Sequence, residues 1–323
     1  MKKIIRVGTR GSLLATTQTG YVVEALKAAN PEVEFETVIV KTEGDLKQKI
    51  SLKEFGTQGV FIKELEEALE SNKVDLAVHS LKDVPHDIPD NMELVSFFTR
   101  EDPADVLISK HSHWKDLPEG AKIGTGSPRR IVQLKELRPD FQFADLRGNI
   151  DSRMQKVEEG EYDAIILAQA GLNRLNQGER ASYSFPKSEL TPAIAQGIVA
   201  IEARKGDLET REIARTVNVA DSELAAQIER TFMAAMGGGC KVPLAAFAEM
   251  QETEVEFMAV LGDLDNQNLL RQTQSISKAN WKTELQAFVE SFSAACKQVQ
   301  LTLPSEVKNH QLLEDREEFF EGK

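Results

Sequence analysis

Short apolar runs that each stop at glycine, serine or arginine and give way to a helix-periodic stretch constrain this 323-residue chain most tightly. Ile4, Ile5 and Val7 read as a buried strand, and Thr9, Arg10, Gly11 and Ser12 turn it into a helix carrying Leu13, Leu14, Val22, Val23 and Leu26. A second strand is expected at Glu34 to Val40 and a helix from about Phe61 to Ser71. An almost wholly apolar strand, Val74 to Val78, then stops at His79, Ser80, Leu81, Lys82 and Asp83. Strands alternating with helices predict a parallel sheet.

Residues 97 to 105 read as a crossover, after which the alternation restarts. Lys122 to Thr125 is a strand end, Pro128 suits the first turn of a helix, and the strand Gln142 to Leu146 leads to Arg147, Gly148 and Asn149. A helix near Asp151 to Glu159 is followed by the strand Asp163 to Ala168, then Gly171 and a short helix with Arg174. Thr191 to Gly197 reads as a return crossover into Ile198 to Ala203, a segment expected to rejoin the first sheet. From about Glu223 the pattern changes to a long helix, a glycine-rich loop, the strands Leu244 to Phe247, Val255 to Val260 and Leu269 to Ser275, and a helix from Trp281 to Gln300. The expected organisation is α/β. Residues 1–98 with 198–217 form a discontinuous first domain, 104–193 a second and 220–303 a small α+β third domain, and 304–323 are a solvated, charged tail.

The chain has two cysteines in contrasting settings. Leu285, Phe288, Val289, Phe292 and Cys296 recur at helical spacing, which makes Cys296 a small core hydrophobe. Cys240 instead follows Gly237, Gly238 and Gly239 in the stretch Met236 to Pro243. Glycine is used where backbone must take unusual dihedrals or come very close to something, so this loop is shaped for a neighbour. No disulfide framework is indicated and no metal-ligand set is expected. The stretch Met1 to Arg10 lacks an apolar signal core, and no segment approaches the roughly 20 apolar residues of a membrane span. A cytoplasmic protein without a membrane partner is expected.

The 39 basic residues against 52 acidic ones give a net charge of −13, and aromatics make up only 6%. Both facts argue against nucleic acid as the main partner, so any anionic ligand must be met by a local cluster. Arg10, Arg129, Arg130, Arg147, Arg153 and Arg174 each follow an expected strand by a few residues, near the start of the next helix. Ligands of doubly wound sheets bind in that crevice, yet a helix N-terminus disfavours a cation. Any one of these arginines also reads as a solvated or ion-paired surface residue. Together they point to bound carboxylates or phosphates, met by guanidinium forks and backbone amides. Carboxylates fit better, because there is no Walker-type lysine spacing and Gly8 to Gly11 is too short for a dinucleotide fingerprint. Asp83 ends an apolar strand ahead of Pro85. It suits stabilising a cationic intermediate or moving a proton, or else serves as a turn residue paired with Lys82. His79 reads as a group that satisfies the backbone.

Over residues 3 to 300 the chain resembles the porphobilinogen deaminase, or hydroxymethylbilane synthase, family. The motifs occur in order: Val7 to Ser12 (VGTRGS), Gly59 to Glu66 (GVFIKELE), Val78 to Pro85 (VHSLKDVP), Arg100 to Asp105 (REDPAD), Gly124 to Arg130 (GTGSPRR), Leu146 to Asn149 (LRGN), Tyr162 to Leu175, and the loop ending in Gly239 and Cys240. The resemblance implies two doubly wound, periplasmic-binding-protein-like domains plus the small C-terminal domain. It implies a dipyrromethane cofactor joined by a thioether to Cys240, which primes a chain of pyrroles. Each porphobilinogen loses ammonia and couples to the free α-carbon of the terminal pyrrole, and hydrolysis releases the product after four additions.

By the same resemblance Arg10, Ser12, Thr125, Ser127, Arg129, Arg130, Arg147, Gly148, Arg153 and Arg174 hold acetate and propionate groups of cofactor and substrate. Asp83 faces the pyrrole N–H groups, and Lys82 and Gln196 line the same cleft. A monomer that passes its product to uroporphyrinogen-III synthase is implied. The chain departs from the family pattern at Glu43 and Gln58, where basic residues are usual, and at Pro128, Ala195, Gly237 and Lys241. Lys241 returns one positive charge to the site. Two other readings stay open at this point: a non-enzymatic carboxylate-binding protein, and a divergent relative with weak turnover.

Overall fold

The computed structural model describes residues 3–41, 62–238, 242–264 and 268–305. The first sheet begins with β1 (Lys3–Arg10), which pairs in parallel with β2 (Val33–Val40) from Lys3 opposite Val33 to Arg10 opposite Val40. Between them runs α1 (Leu13–Ala29), whose N-cap Ser12 accepts a hydrogen bond from the Ala15 amide. Its inward positions Val22, Val23 and Leu26 are buried against the sheet. After α2 (Lys63–Glu70) comes β3 (Leu76–Ser80), parallel to β1 and ending in a single 3-10 turn, Leu81–Asp83. Then β4 (Met92–Phe97) forms one edge of the sheet.

The second sheet comprises β5 (Asp105–Ser109), β6 (Lys122–Gly124), β7 (Gln142–Ala144), β8 (Ala164–Ala168) and the two-residue β9 (Tyr183–Ser184). Its helices are α3 (Pro128–Leu137), α4 (Ile150–Glu158) and α5 (Gln169–Arg174). The chain then returns as β10 (Val199–Arg204) and α6 (Leu208–Arg215). The two strand orders are β2-β1-β3-β10-β4 and β7-β6-β8-β5-β9, so both sheets follow one plan.

Neither sheet is wholly parallel, which corrects the sequence expectation. Strand β10 lies antiparallel between β3 and β4, and β5 lies antiparallel between β8 and β9. Each of these antiparallel strands enters its sheet just after the chain has crossed from the other lobe. The third unit holds α7 (Ala220–Ala235), an antiparallel sheet of β11 (Leu244–Met250), β12 (Glu254–Gly262) and β13 (Leu269–Ser277), and α8 (Trp281–Gln298). Phe232, Phe257, Phe288 and Phe292 pack edge-on and stacked at its centre. Cys296 is buried there as expected, and burial pushes its thiol up to about 11.

This third core continues without a break into Leu81, Val84, Phe97, Ile198 and Ala200 of the first lobe. One carboxylate fastens the junction. Glu229 of α7 is fully buried and accepts from Arg100 Nη1 at 2.5 Å, the Ala195 amide at 2.6 Å and the Ala248 amide at 2.8 Å. Arg100 belongs to the outgoing crossover and Ala195 to the returning one, so a single side chain ties both lobe connections to β11.

The candidate active site

The site lies where the carboxyl ends of the parallel strands of both lobes face one crevice. In the first lobe Leu81 is buried and its amide donates to the Ile198 carbonyl at 3.0 Å. With Leu81 pointing inward, the tight turn leaves Lys82 half-buried and Asp83 exposed toward the crevice. Arg230 of α7 donates to the carbonyls of Val84, Pro85 and His86 and so fixes the chain just after Asp83. Burial pulls the Arg230 guanidinium down to about 10. Arg10 ends β1, the strand next to β3, and Ser12 uses its hydroxyl as the α1 cap.

The opposite wall starts at β6. Thr125 is buried; its amide donates to the Ala144 carbonyl at 2.9 Å and its hydroxyl accepts from the Ser127 amide at 3.3 Å. Ser127 occupies the N-cap position of α3 and Pro128 its first turn. Arg129 and Arg130 follow, and both reach Asp105, the first residue of β5. Arg129 Nη1 lies 2.6 Å from Asp105 Oδ2 and 2.8 Å from the Thr191 carbonyl, with the residue 5% exposed. Arg130 Nη2 lies 2.6 Å from Asp105 Oδ1, and its Nη1 donates to the Ile166 carbonyl. Burial alone would raise Asp105, but the attraction and hydrogen bonds of both arginines hold its carboxyl far below the usual range.

Gln196 completes this cluster. Its Nε2 donates to the Pro103 carbonyl at 2.7 Å and to Asp105 at 3.1 Å, and its Oε1 accepts from Lys82 Nζ at 3.3 Å. The two lobes are therefore joined through Lys82, Gln196 and Asp105. Burial lowers the Lys82 pKa; Asp83 and Asp105 oppose that effect, while Arg130 and Arg129 add to it.

After β7, Arg147 pairs with Asp145 at 3.5 Å. Gly148 has φ +108°, and a Cβ there would collide with Ser152 Oγ, so only glycine fits. Asn149 caps α4 by accepting from the Ser152 amide. Arg153 on that helix donates to the Gly148 carbonyl at 2.7 Å. Burial lowers the pKa of Arg153; Arg130 and Arg147 repel it in the same direction, and Asp83 across the crevice opposes them. Arg174 donates to the Gly197 carbonyl at 2.6 Å, beside Glu101 and Tyr21 of α1.

The structure thus brings Lys82, Asp83, Arg129, Arg130, Arg147, Arg153 and Gln196 into one electrostatic network. Arg174 instead holds the return crossover. Cys240, Glu43, Gln58 and Lys241 lie outside the described residues. His79 bonds to Glu202 at 2.8 Å, both side chains being buried, so its partner is a carboxylate and not the backbone. Asp105, the hub of the network, carries no role in the sequence reading, although an acid opening the apolar run Val106, Leu107 and Ile108 was the available signal. Among the described residues no helix is long and apolar enough to cross a membrane.

Residues 5–212 match the family model for the porphobilinogen deaminase dipyromethane cofactor binding domain, and 223–285 match that for the porphobilinogen deaminase C-terminal domain. The porphobilinogen deaminase of Syntrophus aciditrophicus is 39% identical over 83% of this chain and 88% of its own. That of Brevibacillus brevis is 43% identical over 83% and 87% respectively. Among solved structures, the BvgS periplasmic VFT2 domain of Bordetella pertussis overlaps 66% of this chain and 86% of its own at TM-score 0.41 and 17% identity, too low to carry weight. Family models matched in order along the chain, with relatives at such identity across most of both lengths, establish that this protein belongs to the porphobilinogen deaminase family.

Proposed function

We propose that this chain is a hydroxymethylbilane synthase, which adds four porphobilinogen molecules to a dipyrromethane held on Cys240 and then releases the linear tetrapyrrole by hydrolysis. The observation that carries this reading is the gathering of Lys82, Arg129, Arg130, Arg147 and Arg153 around Asp83 in a protein of net charge −13. The cations outnumber the nearby carboxylates Asp83, Asp105 and Asp145; burial is the main cause of the lowered pKa values of Lys82 and Arg153, and repulsion between neighbouring cations adds to it. A ligand bearing several carboxylates relieves that repulsion. This supports the fit of dipyrromethane, each of whose rings carries an acetate and a propionate.

When bound, the dipyrromethane supplies the pyrrole α-carbon that receives each incoming unit. The chain's own residues do the rest. Arg130, Arg147, Arg153 and Lys82 hold carboxylates on either side of the crevice, with Arg10 at the end of β1 adding a further cation and Ser12 just beyond it a hydroxyl. Arg129 acts through Asp105, keeping Arg130 aimed. Thr125, Ser127 and Gly148 shape the backbone from which these side chains project. Asp83 stabilises the positive charge that develops on porphobilinogen as its C–N bond breaks and ammonia leaves with the bonding pair. The same carboxylate accepts the proton released when the new C–C bond is complete. Gln196 and Arg174 link this chemistry to the return crossover, so lobe closure and carboxylate binding act together.

The three sheets support dividing the chain into residues 1–98 with 198–217, 104–193 and 220–303. The family reading also implies a cytoplasmic monomer whose product passes to uroporphyrinogen-III synthase. The test is the intact mass of the purified protein and of Cys240→Ser, with a pyrrole colour reaction. An adduct of two coupled porphobilinogen units, absent from the variant, is expected. A bare mass that acquires no pyrroles on incubation with porphobilinogen overturns the proposal in favour of a carboxylate-binding protein.

A further inference from the structure

The third unit meets the second lobe along α3, which lies against all three strands β11, β12 and β13. Gly262 ends β12 so close to α3 that a Cβ on it would lie 2.8 Å from Val132 Cγ2. Arg271, opposite Val260 in the β12–β13 ladder, crosses the same boundary. The platform that carries it is closed by the chain beyond α8: Leu301, Leu303 and Pro304 are buried, and the Ser305 amide donates to the Met236 carbonyl at 3.1 Å. Residues 304 and 305 are therefore packed, which corrects the expectation of a solvated tail there; residues 306–323 lie outside the described part.

The Arg271 guanidinium bridges two segments of the second lobe. Its Nη1 donates to the Thr191 hydroxyl at 2.7 Å and to Gln133 Oε1 at 3.2 Å, and its Nη2 to Glu136 Oε2 at 3.0 Å and the Glu189 carbonyl at 3.3 Å. Gln133 and Glu136 belong to α3, whereas Glu189 and Thr191 lead into the return crossover. Gln133 and Thr191 are fully buried and bonded to each other. Gln133 Oε1 accepts from the Thr191 amide at 2.8 Å, and its Nε2 donates to the Thr191 carbonyl at 3.2 Å and the Arg129 carbonyl at 3.1 Å. The Thr191 carbonyl also accepts from Arg129 Nη1, the nitrogen that binds Asp105. Thr191 is thus held by the third unit through its hydroxyl, and it holds Arg129 through its carbonyl.

We propose that Arg271 is a positioning residue for substrate binding: from the third unit it fixes Thr191 and Gln133, these fix Arg129 on Asp105, and Arg130, which shares Asp105, stays aimed at the crevice. The inference rests on Arg130 binding substrate carboxylates. A planar fork can meet acceptors on two segments at once, whereas an ammonium is a point donor. The pair with Glu136 is the half-exposed part of the contact, and exposed pairs contribute little, so the buried bonds to Thr191 and Gln133 carry the effect. The carboxylates that Arg130 grips do not change during the reaction. A loosened Arg130 therefore weakens ground state and transition state alike, which raises KM and spares kcat.

Holoenzymes carrying Arg271→Ala, Arg271→Lys or Glu136→Gln are compared with the unsubstituted holoenzyme at equal dipyrromethane content, and exchange of the Thr191 amide is followed without substrate. Arg271→Ala is expected to raise KM for porphobilinogen about tenfold at unchanged kcat and to accelerate exchange at Thr191. Arg271→Lys, which keeps the charge without the fork and disturbs folding less, falls between Arg271→Ala and the unsubstituted enzyme in both readouts. Glu136→Gln leaves both unchanged. An unsubstituted KM in Arg271→Ala and Arg271→Lys overturns the proposal, as does a raised KM with unaltered exchange at Thr191. An equal rise in Glu136→Gln also overturns it, because the surface ion pair then accounts for the effect. An unsubstituted holoenzyme without turnover defeats the functional reading instead, and exchange at Thr191 then decides alone whether Arg271 holds this segment.

Discussion

Asp83 and Lys82 are neighbours in one tight turn and face opposite demands. Asp83 lies exposed at the crevice, so its replacement changes charge and hydrogen bonding with little loss of packing. Asp83→Asn is expected to fold with an unaltered melting curve and to lower kcat by about 10²- to 10⁴-fold, the range for a removed general acid–base group; near-normal turnover would remove Asp83 from its assigned role. Lys82 is different because burial and the adjacent arginines already disfavour its ammonium form. A lysine whose pKa is lowered by folding weakens the fold while both states are protonated. That penalty lifts only as pH rises from the lowered value toward the ordinary one near 10.4. Lys82→Gln removes it at neutral pH, and a gain of about 1 kcal/mol would raise Tm by about 2–4 °C. The same change deletes a charged donor to substrate carboxylates worth about 1.5–3 kcal/mol, so KM should rise about 10- to 100-fold. Thermal melting without ligand, set beside steady-state kinetics, checks the pairing. A fall in both Tm and affinity would mean that Lys82 is held mainly by Gln196, Asp83 and Asp105.

At the scale of elements, the α4 entrance is the piece whose geometry is least replaceable. Gly148 must hold φ +108° against Ser152 Oγ, and its carbonyl orients Arg153. Gly148→Ala should cost about 1–3 kcal/mol in denaturant unfolding and raise KM, because Arg147 and Arg153 are displaced together. Adding Ser152→Ala should recover the steric part and leave the backbone part. Much of this architecture was legible in the sequence: the strand–helix alternation, the arginines at strand ends, the return of Ile198 to Ala203 to the first sheet, and the buried Cys296 stripe. What escaped were β4, β5, the two-residue β9 and α6. Strand β4 has the burial sequence buried, half-buried, half-buried and then three buried residues, a pattern with no period of two because both its faces are partly covered. Strand β5 opens on Asp105, a fully buried acid whose acceptability depends on Arg129 and Arg130 more than twenty residues away. Local periodicity carries no trace of such a partner, and the same blindness hid the bond from the Ser305 amide to the Met236 carbonyl, which joins the chain beyond α8 back to the end of α7.

For the whole molecule, the issue is how an anionic substrate reaches a cationic crevice through the field of an acidic protein. The exterior carries the excess that makes the net charge −13, while Lys82, Arg130, Arg147 and Arg153 sit half-buried inside or nearly so. These two fields have different ranges. Repulsion by the exterior acts over many ångströms of water, and salt suppresses it early, the screening length falling from about 30 Å at 0.01 M to about 10 Å at 0.1 M. Attraction within the crevice acts over contact distances between lobes joined by Gln196, where low local dielectric resists screening until salt competes directly for the guanidinium groups. Steering by net charge governs association, and buried contacts govern how long the docked substrate stays. We therefore expect kcat/KM for porphobilinogen to rise between about 0.01 and 0.1 M ionic strength, and to fall again toward about 1 M, where screening reaches about 3 Å. Two salts with different anions, compared at equal ionic strength, separate screening from anion competition: the rising limb should coincide for both, and the falling limb should come sooner for the anion that binds guanidinium better. A rate that falls steadily from the lowest salt would mean that the local cluster, and not the acidic exterior, sets the field substrate meets on approach.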